Sequence, residues 1–224
     1  MTLRFDLDGV GWSFEPEALV VAGYTGADAE AVQHHIDELA DEGVAPPPRV
    51  PMYWSMPAAA LTQASSIEVP SRSTSGEVEL ALIVDGDDIL VGVGSDHTCR
   101  EAEATDIRLS KLICPTPISR SAWRWDEIAD HWGGLELSST IEVDGRAEPY
   151  QQALAIGNQP PLELLDGIPW ADEPARRFVL LCGTVPAIGG IRPAGRFTGQ
   201  VTDPSRGRSL GLDYRVSPAP ALAT

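Results

Sequence analysis

The chain has few basic residues. Its 224 residues include 16 Lys and Arg against 33 Asp and Glu, which gives a formal net charge of −17. A field of that sign repels the phosphates of nucleic acids and of anionic membranes, so we expect neither as a partner. The same field repels an anionic substrate, which would therefore need a metal ion or local basic residues at its site.

Cysteine is also scarce, and long apolar runs are missing. Cys99, Cys114 and Cys182 are scattered and odd in number, which does not suit a disulfide framework and is typical of a reducing cytosol. The first residues contain no apolar signal core, and no apolar run reaches the about 18 residues of a membrane span. From the sequence we expect a cytoplasmic protein without a membrane partner.

Proline and glycine, by contrast, are plentiful, at 19 and 21 residues, and they favour turns over long helices. The clearest helix is predicted over residues 28–42, where Asp28 is a candidate N-cap and Val32, Ile36 and Leu39 form an apolar stripe. A second helix is predicted near 101–113, and strands are predicted in 1–22 and near 77–95, 135–143, 146–150, 177–182 and 209–216.

Strands mixed with a few short helices, without regular βαβ alternation, predict an α+β fold. At this length we expect a single domain over residues 1–224. A Trp-rich segment, with Trp123, Trp125 and Trp132, predicts a short helix and either core packing or a subunit contact. The second alternative makes a homodimer our expectation.

The run from 77 to 100 predicts a β-hairpin that ends in three carboxylates. Glu77 and Glu79 are two apart, so on a strand their side chains share a face. The turn signal is Asp85-Gly86, and a two-residue loop there leaves two registers open; in either one Asp96 lies near Glu77 on the same face. Three acids so placed repel one another unless a cation lies among them, and an all-oxygen site suits Mg²⁺, Mn²⁺ or Ca²⁺. The alternative is an exposed acidic strand end.

Five segments resemble, in chain order, motifs of the fumarylacetoacetate hydrolase superfamily. They are His35-Ile-Asp-Glu38, Glu77-Val78-Glu79-Leu80-Ala81, Ser95-Asp96-His97-Thr98-Cys99-Arg100, Lys111 ahead of Cys114-Pro115, and the loop from Cys182-Gly183-Thr184 to Gly189. The chain is similar in particular to an uncharacterised bacterial branch of that superfamily, a domain of unknown function. It departs from the common pattern in the tight turn between the Glu-x-Glu and Asp motifs, in Ser95 and Glu103, which replace Asn and Gln, and in a longer spacing before His35.

The resemblance implies a β-rich fold, a mixed-sheet roll or sandwich with a few short helices. Residues 1–60 would carry a lid helix and residues 61–224 the catalytic β-core. It also implies that Glu77, Glu79 and Asp96 ligate one divalent ion, Mg²⁺ or else Mn²⁺ or Ca²⁺, together with water and a bidentate 2-oxo acid. Such a metal polarises the carbonyl group and stabilises an enolate.

Three carboxylates exceed the charge of a divalent ion by one, so an anionic substrate needs further cations. The resemblance offers Arg100, which could fork onto a substrate carboxylate, and Lys111, which would lie near the developing enolate oxygen. The alternative for both is a salt bridge with Glu101, Glu103 or Asp106.

A histidine and a carboxylate on the first predicted helix are candidates for water activation. His35 and Glu38 are three apart, so they share a helix face, and a carboxylate hydrogen-bonded to imidazole raises its basicity. His34 is also a helical neighbour of Glu38, so the spacing leaves the choice of histidine open. The alternative is a surface helix that carries these residues by chance.

The loop after the predicted strand near 177–182 is a candidate substrate contact. Thr184 could offer its hydroxyl and N–H to a substrate carboxylate, and Gly183 would let the backbone approach closely. The alternative is an ordinary glycine-rich turn. We expect His97, which follows Asp96 directly, to be structural rather than a ligand.

These residues together predict a metal-dependent hydrolase that cleaves a carbon–carbon bond in a 2,4-dioxo, acylpyruvate-like acid through a metal-bound enolate. A 2-oxo acid decarboxylase and a 2-keto-3-deoxy sugar acid dehydratase could use the same site. A non-catalytic small-molecule binding protein is the alternative of another class.

Overall fold

A computed structural model describes residues 1–41 and 46–220, with the side chains at 35, 38, 39 and 41 outside that description. Strands dominate this part of the chain. They are β1 (Leu3–Leu7), β2 (Val10–Phe14), β3 (Ala18–Gly23), β4 (Met52–Pro57), β5 (Leu61–Thr62), β6 (Ser66–Val69), β7 (Thr74–Ser75), β8 (Val78–Asp85), β9 (Asp88–Ser95), β10 (Thr98–Cys99), β11 (Thr116–Pro117), β12 (Trp123–Arg124), β13 (Glu136–Val143), β14 (Arg146–Leu154), β15 (Arg177–Thr184), β16 (Arg196–Asp203) and β17 (Arg208–Pro218). The α-helices are α1 (Ala29–Asp41), α2 (Arg100–Glu103), α3 (Ile107–Leu112) and α4 (Pro161–Asp166), and short 3-10 turns cover Ala58–Ala60, Trp125–Glu127, Trp132–Gly134 and Ala155–Gly157.

A six-stranded mixed sheet in the order β12-β9-β8-β15-β3-β4 forms the centre of the fold. Strands β8 and β15 lie in its middle and are antiparallel, whereas β15 and β3 run parallel. Both faces of this sheet are covered by other parts of the chain. Strand β8 is accordingly almost entirely apolar, and all its residues except Asp85 at its end are buried. The sheet therefore supplies a rigid base for whatever follows the ends of β8 and β9.

A five-stranded sheet in the order β14-β13-β16-β17-β6 packs against one face of the first sheet. The core between them combines alternate residues of β8, such as Leu80 and Leu82, with Ile141, Phe197 and Tyr214 of the second sheet. A separate apolar cluster on the other face joins Ala81 and Ile83 to the β1–β2 hairpin and to β3. The alternation within β8 thus divides its side chains between two cores.

Several sequence predictions are confirmed. The α+β fold, β-rich with mixed sheets and few helices, is the one expected. Helix α1 starts after Asp28, whose carboxylate accepts from the N–H groups of Glu30 at 2.9 Å and Ala31 at 3.2 Å. The predicted strands are all present, and β16, which was not predicted, completes the second sheet. The single-domain organisation stays a prediction.

Two predicted helices differ in the structure. The helix expected near 101–113 is broken into α2 and α3, because Asp106 turns its carboxylate onto the N–H of Leu109 at 2.9 Å and caps a new helix. The Trp-rich segment forms β12 and then two 3-10 helices, where one short helix was predicted. Trp123 is buried in the core, and Trp125 and Trp132 pack against it. Core packing therefore accounts for this cluster, and the homodimer stays a prediction.

Among residues 1–41 and 46–220, no helix is long and apolar enough to cross a lipid bilayer.

A buried carboxylate stabilises the turn between β16 and β17. Asp203 is inaccessible to solvent and accepts from the Ser205 hydroxyl at 2.6 Å, from His131 Nε2 at 3.2 Å and from Arg208 Nε at 3.5 Å. Burial opposes ionisation of Asp203, but the hydrogen bonds from Ser205 and His131 outweigh it and lower the pKa to about 2. The ionised carboxylate is thus a stabilising part of the fold.

Replacing Asp203 with Asn should give a stability loss that depends on pH. Because the folded-state pKa lies below the usual 3.8, the ionised carboxylate contributes about 2 kcal/mol above pH 4, and this is lost as the pH falls towards 2. Urea unfolding of the wild type and Asp203→Asn across that range should show the difference shrinking on acidification. Asp88→Asn, at an exposed turn, should show no such trend. A difference that does not vary with pH would contradict the assignment.

Candidate metal and substrate site

The β8–β9 hairpin brings two of the predicted carboxylates to one end of the central sheet. Val78 pairs with Ser95, and the N–H of Asp96 donates to the carbonyl of Glu77 at 3.0 Å. The turn residues are Gly86 and Asp87, with Asp85 pairing Asp88, so the turn lies one position later than the predicted Asp85-Gly86. Of the two registers that the sequence allowed, the structure has the one that puts Glu77 directly opposite Asp96.

Glu79 is the most deeply buried of the three carboxylates. Only 2% of its surface is exposed, and its Oε2 accepts from the N–H of Gly183 at 2.7 Å. Burial, and next the charge of Asp96, raise its pKa well above the ordinary value, although Lys111 and the Gly183 N–H act in the opposite direction. This carboxylate needs additional positive charge to ionise fully.

Lys111 reaches the same point from helix α3. Its ammonium group forms an ion pair with the Oδ2 of Asp96, and both side chains are largely buried. Burial opposes the charge on Lys111, but the negative charges of Asp96 and Glu77 outweigh it and raise the pKa. It is the only lysine in the chain, which otherwise uses arginine for its positive charges.

Arg100, at the start of α2, is held in a network of ion pairs. Its guanidinium donates to Glu77 at 2.9 Å, to Glu103 at 2.7 Å and, through Nε, to the Ser75 hydroxyl at 2.7 Å. The salt bridge to Glu103 is the alternative that the sequence left open. A substrate carboxylate would have to share Arg100 with these partners, so its role in substrate binding stays a prediction.

A buried chain of hydrogen bonds fixes the loop that carries Asp96. The Tyr214 hydroxyl is 2.9 Å from the Ser95 hydroxyl and 2.9 Å from His97 Nδ1, and His97 Nε2 is 3.0 Å from the Thr74 hydroxyl. Burial, and next the charge of Arg100, lower the pKa of His97 to about 4, so its ring is neutral at pH 7. Both ring nitrogens have partners, which agrees with a structural role for His97.

The last residues of β15 present their backbone to the site: Gly183 and Thr184, predicted to lie in a loop, belong to the strand, where the pairing with β8 is irregular between Leu181 and Thr184. Gly183 has φ of 94°, and a Cβ there would lie 1.7 Å from the Thr25 hydroxyl oxygen. Thr184 directs its hydroxyl proton to the Val78 carbonyl at 3.1 Å and accepts from Gln151 at 2.8 Å. A substrate carboxylate would have to replace these bonds to use the hydroxyl, so the role of Thr184 also stays a prediction.

The predicted lid dyad belongs to helix α1. His35 and Glu38 lie on α1, but their side chains are outside the described part of the structure. The backbone that leads into α1 is anchored, because Ala27 N–H donates to the Gly157 carbonyl at 2.9 Å and Gln159 N–H to that of Thr25 at 2.7 Å. The choice between His34 and His35 thus remains open.

The donor chemistry at the end of β8 and β9 fits a hard divalent cation. Glu77, Glu79 and Asp96 offer carboxylate oxygens only, and burial and the charge of Asp96 raise the pKa of Glu79. Within residues 1–41 and 46–220, however, no three Asp, Glu, His or Cys side chains already stand in a geometry that could hold a metal ion. Asp96 is turned to Lys111 and Glu77 to Arg100. The carboxylates are therefore neutralised internally, and a cation would have to compete with these two side chains.

Sequence reasoning missed several residues that position the site. Gln151 donates to the Val185 carbonyl at 2.6 Å and accepts from the N–H of Val78 at 2.9 Å, while Asn158 donates to the Gly183 carbonyl at 2.9 Å. Their partners lie far away along the chain, so local spacing carried no signal for them. The uniqueness of Lys111 was a signal that the composition did contain.

Comparison of the sequence with known proteins assigns no activity. The sequence profile of a family described as "Protein of unknown function (DUF2848)" matches residues 22–214. No curated protein matches the sequence significantly.

Solved structures share the fold. The 2-keto-3-deoxy-D-arabinonate dehydratase complexed with magnesium and 2,5-dioxopentanoate is 18% identical, with a TM-score of 0.67 over 96% of this chain and 78% of that one. Yeast ynq8, a fumarylacetoacetate hydrolase family protein, is 16% identical, with a TM-score of 0.63 over 92% and 95%. Cg1458 with inhibitor is 18% identical, with a TM-score of 0.67 over 95% and 84%. The fold implied by the sequence resemblance is confirmed.

Replacing Gly183 with Ala should destabilise the protein by about 3 kcal/mol or more, because the new Cβ would overlap Thr25 and displace the N–H from Glu79. Gly190→Ala is a matched control, since Gly190 has φ of 82° with nothing within 4 Å of a Cβ. The control should lose only the about 1 kcal/mol of a left-handed backbone. Denaturant unfolding measures both, and equal losses would contradict the close approach at Gly183.

Proposed function

We propose that this chain, which belongs to the DUF2848 family of proteins of unknown function, is an enzyme that binds a 2-oxo acid through a divalent cation and hydrolyses a carbon–carbon bond in it. The observation that carries the proposal is the convergence of Glu77, Glu79 and Asp96 beside the buried Lys111. Buried carboxylates beside a buried lysine are costly for stability, and such groups cluster at functional sites.

The charges explain why a cation and an anion would bind together. Glu77, Glu79 and Asp96 face Lys111 and Arg100, so the cluster is one positive charge short when all three acids ionise. A divalent cation held by the three carboxylates would polarise the 2-oxo group and lower the energy of its enolate. The positive charge then in excess favours an anionic ligand, which Lys111 can contact.

Each of the other site residues would then have its own role in the reaction. Lys111 donates a hydrogen bond to the oxygen on which negative charge develops as the carbon–carbon bond breaks. Arg100 holds Glu77 in place through one N–H group of its guanidinium and borders the substrate carboxylate. Water attack on the distal carbonyl is assigned to His35 and Glu38 from the sequence alone.

Dehydration of a 2-keto-3-deoxy sugar acid is the second candidate. The dehydratase solved with magnesium and 2,5-dioxopentanoate shares the fold, and that reaction uses the same stabilisation of an enolate. Decarboxylation of a 2-oxo acid would also be compatible. A binding protein without turnover would keep the metal site and lack activity on every substrate of these classes.

Calorimetric titration of Mg²⁺ and Mn²⁺ into chelator-stripped protein, with oxalate as an enolate mimic, tests the site. Glu79→Gln should lose metal binding by about tenfold or more, because the deepest carboxylate loses its charge. Glu101→Gln, an exposed acid on α2, should bind like the wild type. Oxalate should bind only with metal present. Absence of metal binding in the wild type would overturn the proposal, whereas binding without turnover of acylpyruvates or sugar acids would favour the non-catalytic alternative.

Replacing Lys111 with Met should separate metal binding from anion binding. Without the ammonium group, Asp96 is left free for the cation, so we expect about tenfold tighter Mg²⁺ binding and weaker capture of oxalate. Arg124→Met removes an equal charge from an exposed position and should change neither. Because Lys111 is the only lysine, its ε-ammonium gives a single signal in NMR spectra of protein labelled at lysine. Lys111 would lie outside the site if Mg²⁺ left this signal unshifted and if Lys111→Met bound Mg²⁺ and oxalate with the affinities of the wild type.

A further inference from the structure

A cleft of about 400 Å³ lies between β4 and the α2–α3 segment. One wall is largely apolar and includes Tyr24, Met52 and Trp54 together with the prolines at 46–48. The remaining lining residues are 103–108, from the end of α2 to the start of α3. No residue of the carboxylate trio lines it, so the mechanism described above does not account for it.

The cleft adjoins the carboxylate site through two shared residues. The ammonium group of Lys111 lies 5.6 Å from the ring centre of Trp54, which lines the cleft. Glu103 also lines the cleft while its carboxylate pairs with Arg100. A ligand anchored beside Lys111 can therefore extend across the Trp54 ring into the cleft.

The aromatic floor of the cleft is held in place by a glycine. A Cβ at Gly23 would lie 2.5 Å from the Trp54 ring, so only glycine lets the indole pack there. The Tyr24 ring lies beside it, with ring centres 6.5 Å apart and planes inclined by 46°. Two neighbouring rings fixed in this way form a preorganised surface for a flat apolar group.

The charges around the cleft oppose a second anionic group. Its acidic residues are Glu103, which is paired with Arg100, and Asp106, which caps α3. The one basic residue among those that line it, Arg108, is exposed and donates to the Ser55 carbonyl at 3.4 Å. A distal carboxylate would meet these acids, and the hydroxyls of a sugar acid would lose water to an apolar wall.

We propose that this cleft receives the distal substituent of the substrate and selects an uncharged, planar apolar group, so that the substrate is an aryl-bearing 2,4-dioxo monocarboxylic acid. This inference rests on the proposed function, because it takes the 2-oxo acid end to be bound at the carboxylate site. It favours the hydrolase over the sugar acid dehydratase. The specificity-determining residues are Trp54 and Met52.

Three oxamates test the cleft against the carboxylate site, with oxalate as a reference that does not reach the cleft. In the presence of Mg²⁺, N-phenyloxamate should bind the wild type about tenfold more tightly than oxamate, because its ring is buried on Trp54. N-(4-carboxyphenyl)oxamate should lose that advantage. In Trp54→Ala the ratio between phenyloxamate and oxamate should fall to about one, and Met52→Ala should lower it less. Trp170→Ala, which alters a half-buried tryptophan packed on Phe178, is the control and should keep the wild-type ratio.

The outcomes distinguish the cleft from the proposed function. Metal-dependent oxalate binding with no preference for the phenyl group, or a preference that survives both Trp54→Ala and Met52→Ala, overturns the cleft assignment and leaves the proposed function standing. Equal affinity for the carboxyphenyl compound overturns the selection against charge. Failure of oxalate to bind with metal overturns both. If Trp54→Ala does not fold, Met52→Ala carries the comparison, and an unchanged ratio in it overturns the assignment.

Discussion

The compensation of buried negative charge is the constraint on which the site depends. Glu79 and Asp96 lie close together at the end of a sheet covered on both faces, where charges are poorly screened. Their stability requires positive charge nearby, and the segment after β10 supplies it: Lys111 of α3 pairs with Asp96, and Arg100 of α2 pairs with the neighbouring Glu77. On one continuous helix these two residues would be roughly 16 Å apart along the axis, too far to meet neighbouring carboxylates. The cap at Asp106 breaks the helix, and the resulting turn lets both cations return to the same strand end.

The second sheet braces the site from behind. Tyr214 of β17 reaches across the core to Ser95 and His97, and a Cβ at Gly76 would lie 2.3 Å from its hydroxyl, so the two sheets are in very close contact there. Gln151 of β14 also connects the second sheet to the site, because its side chain accepts from the N–H of Val78 and donates to the carbonyl of Val185. Carboxylates at strand ends are thereby held by buried polar contacts that are fully satisfied, which is what precise placement of ligands requires.

Local sequence signals predicted the features that local physics determines. The turn signal at Asp85-Gly86 and the spacing of Glu77 and Glu79 were enough for the hairpin and for its shared face, but the turn lies one residue later and the register was left open between two. Asp28 was enough for the start of α1. The continuous helix expected through residue 106 was wrong because the Asp106 side chain caps a new helix there. Long-range pairs were not predictable: Gln151 bonds Val78 and Tyr214 bonds His97, and these contacts exist only once the two sheets pack. Strand β16 has a glycine in its middle, which weakens the pattern of a strand.

The use of one lysine beside fifteen arginines fits the chemistry that we propose for the site. Arg100 is a planar fork that binds Glu77 and Glu103 at once, which suits a permanent counter-ion. Lys111 is a point charge on a flexible stem, and its single ion pair with Asp96 can be exchanged without breaking a bidentate contact. In the proposed function, a cation would replace Lys111 on Asp96 and leave the released ammonium group beside the place where an anionic ligand would bind. On that proposal the lysine links cation binding to anion binding, and an arginine in its place would resist the exchange.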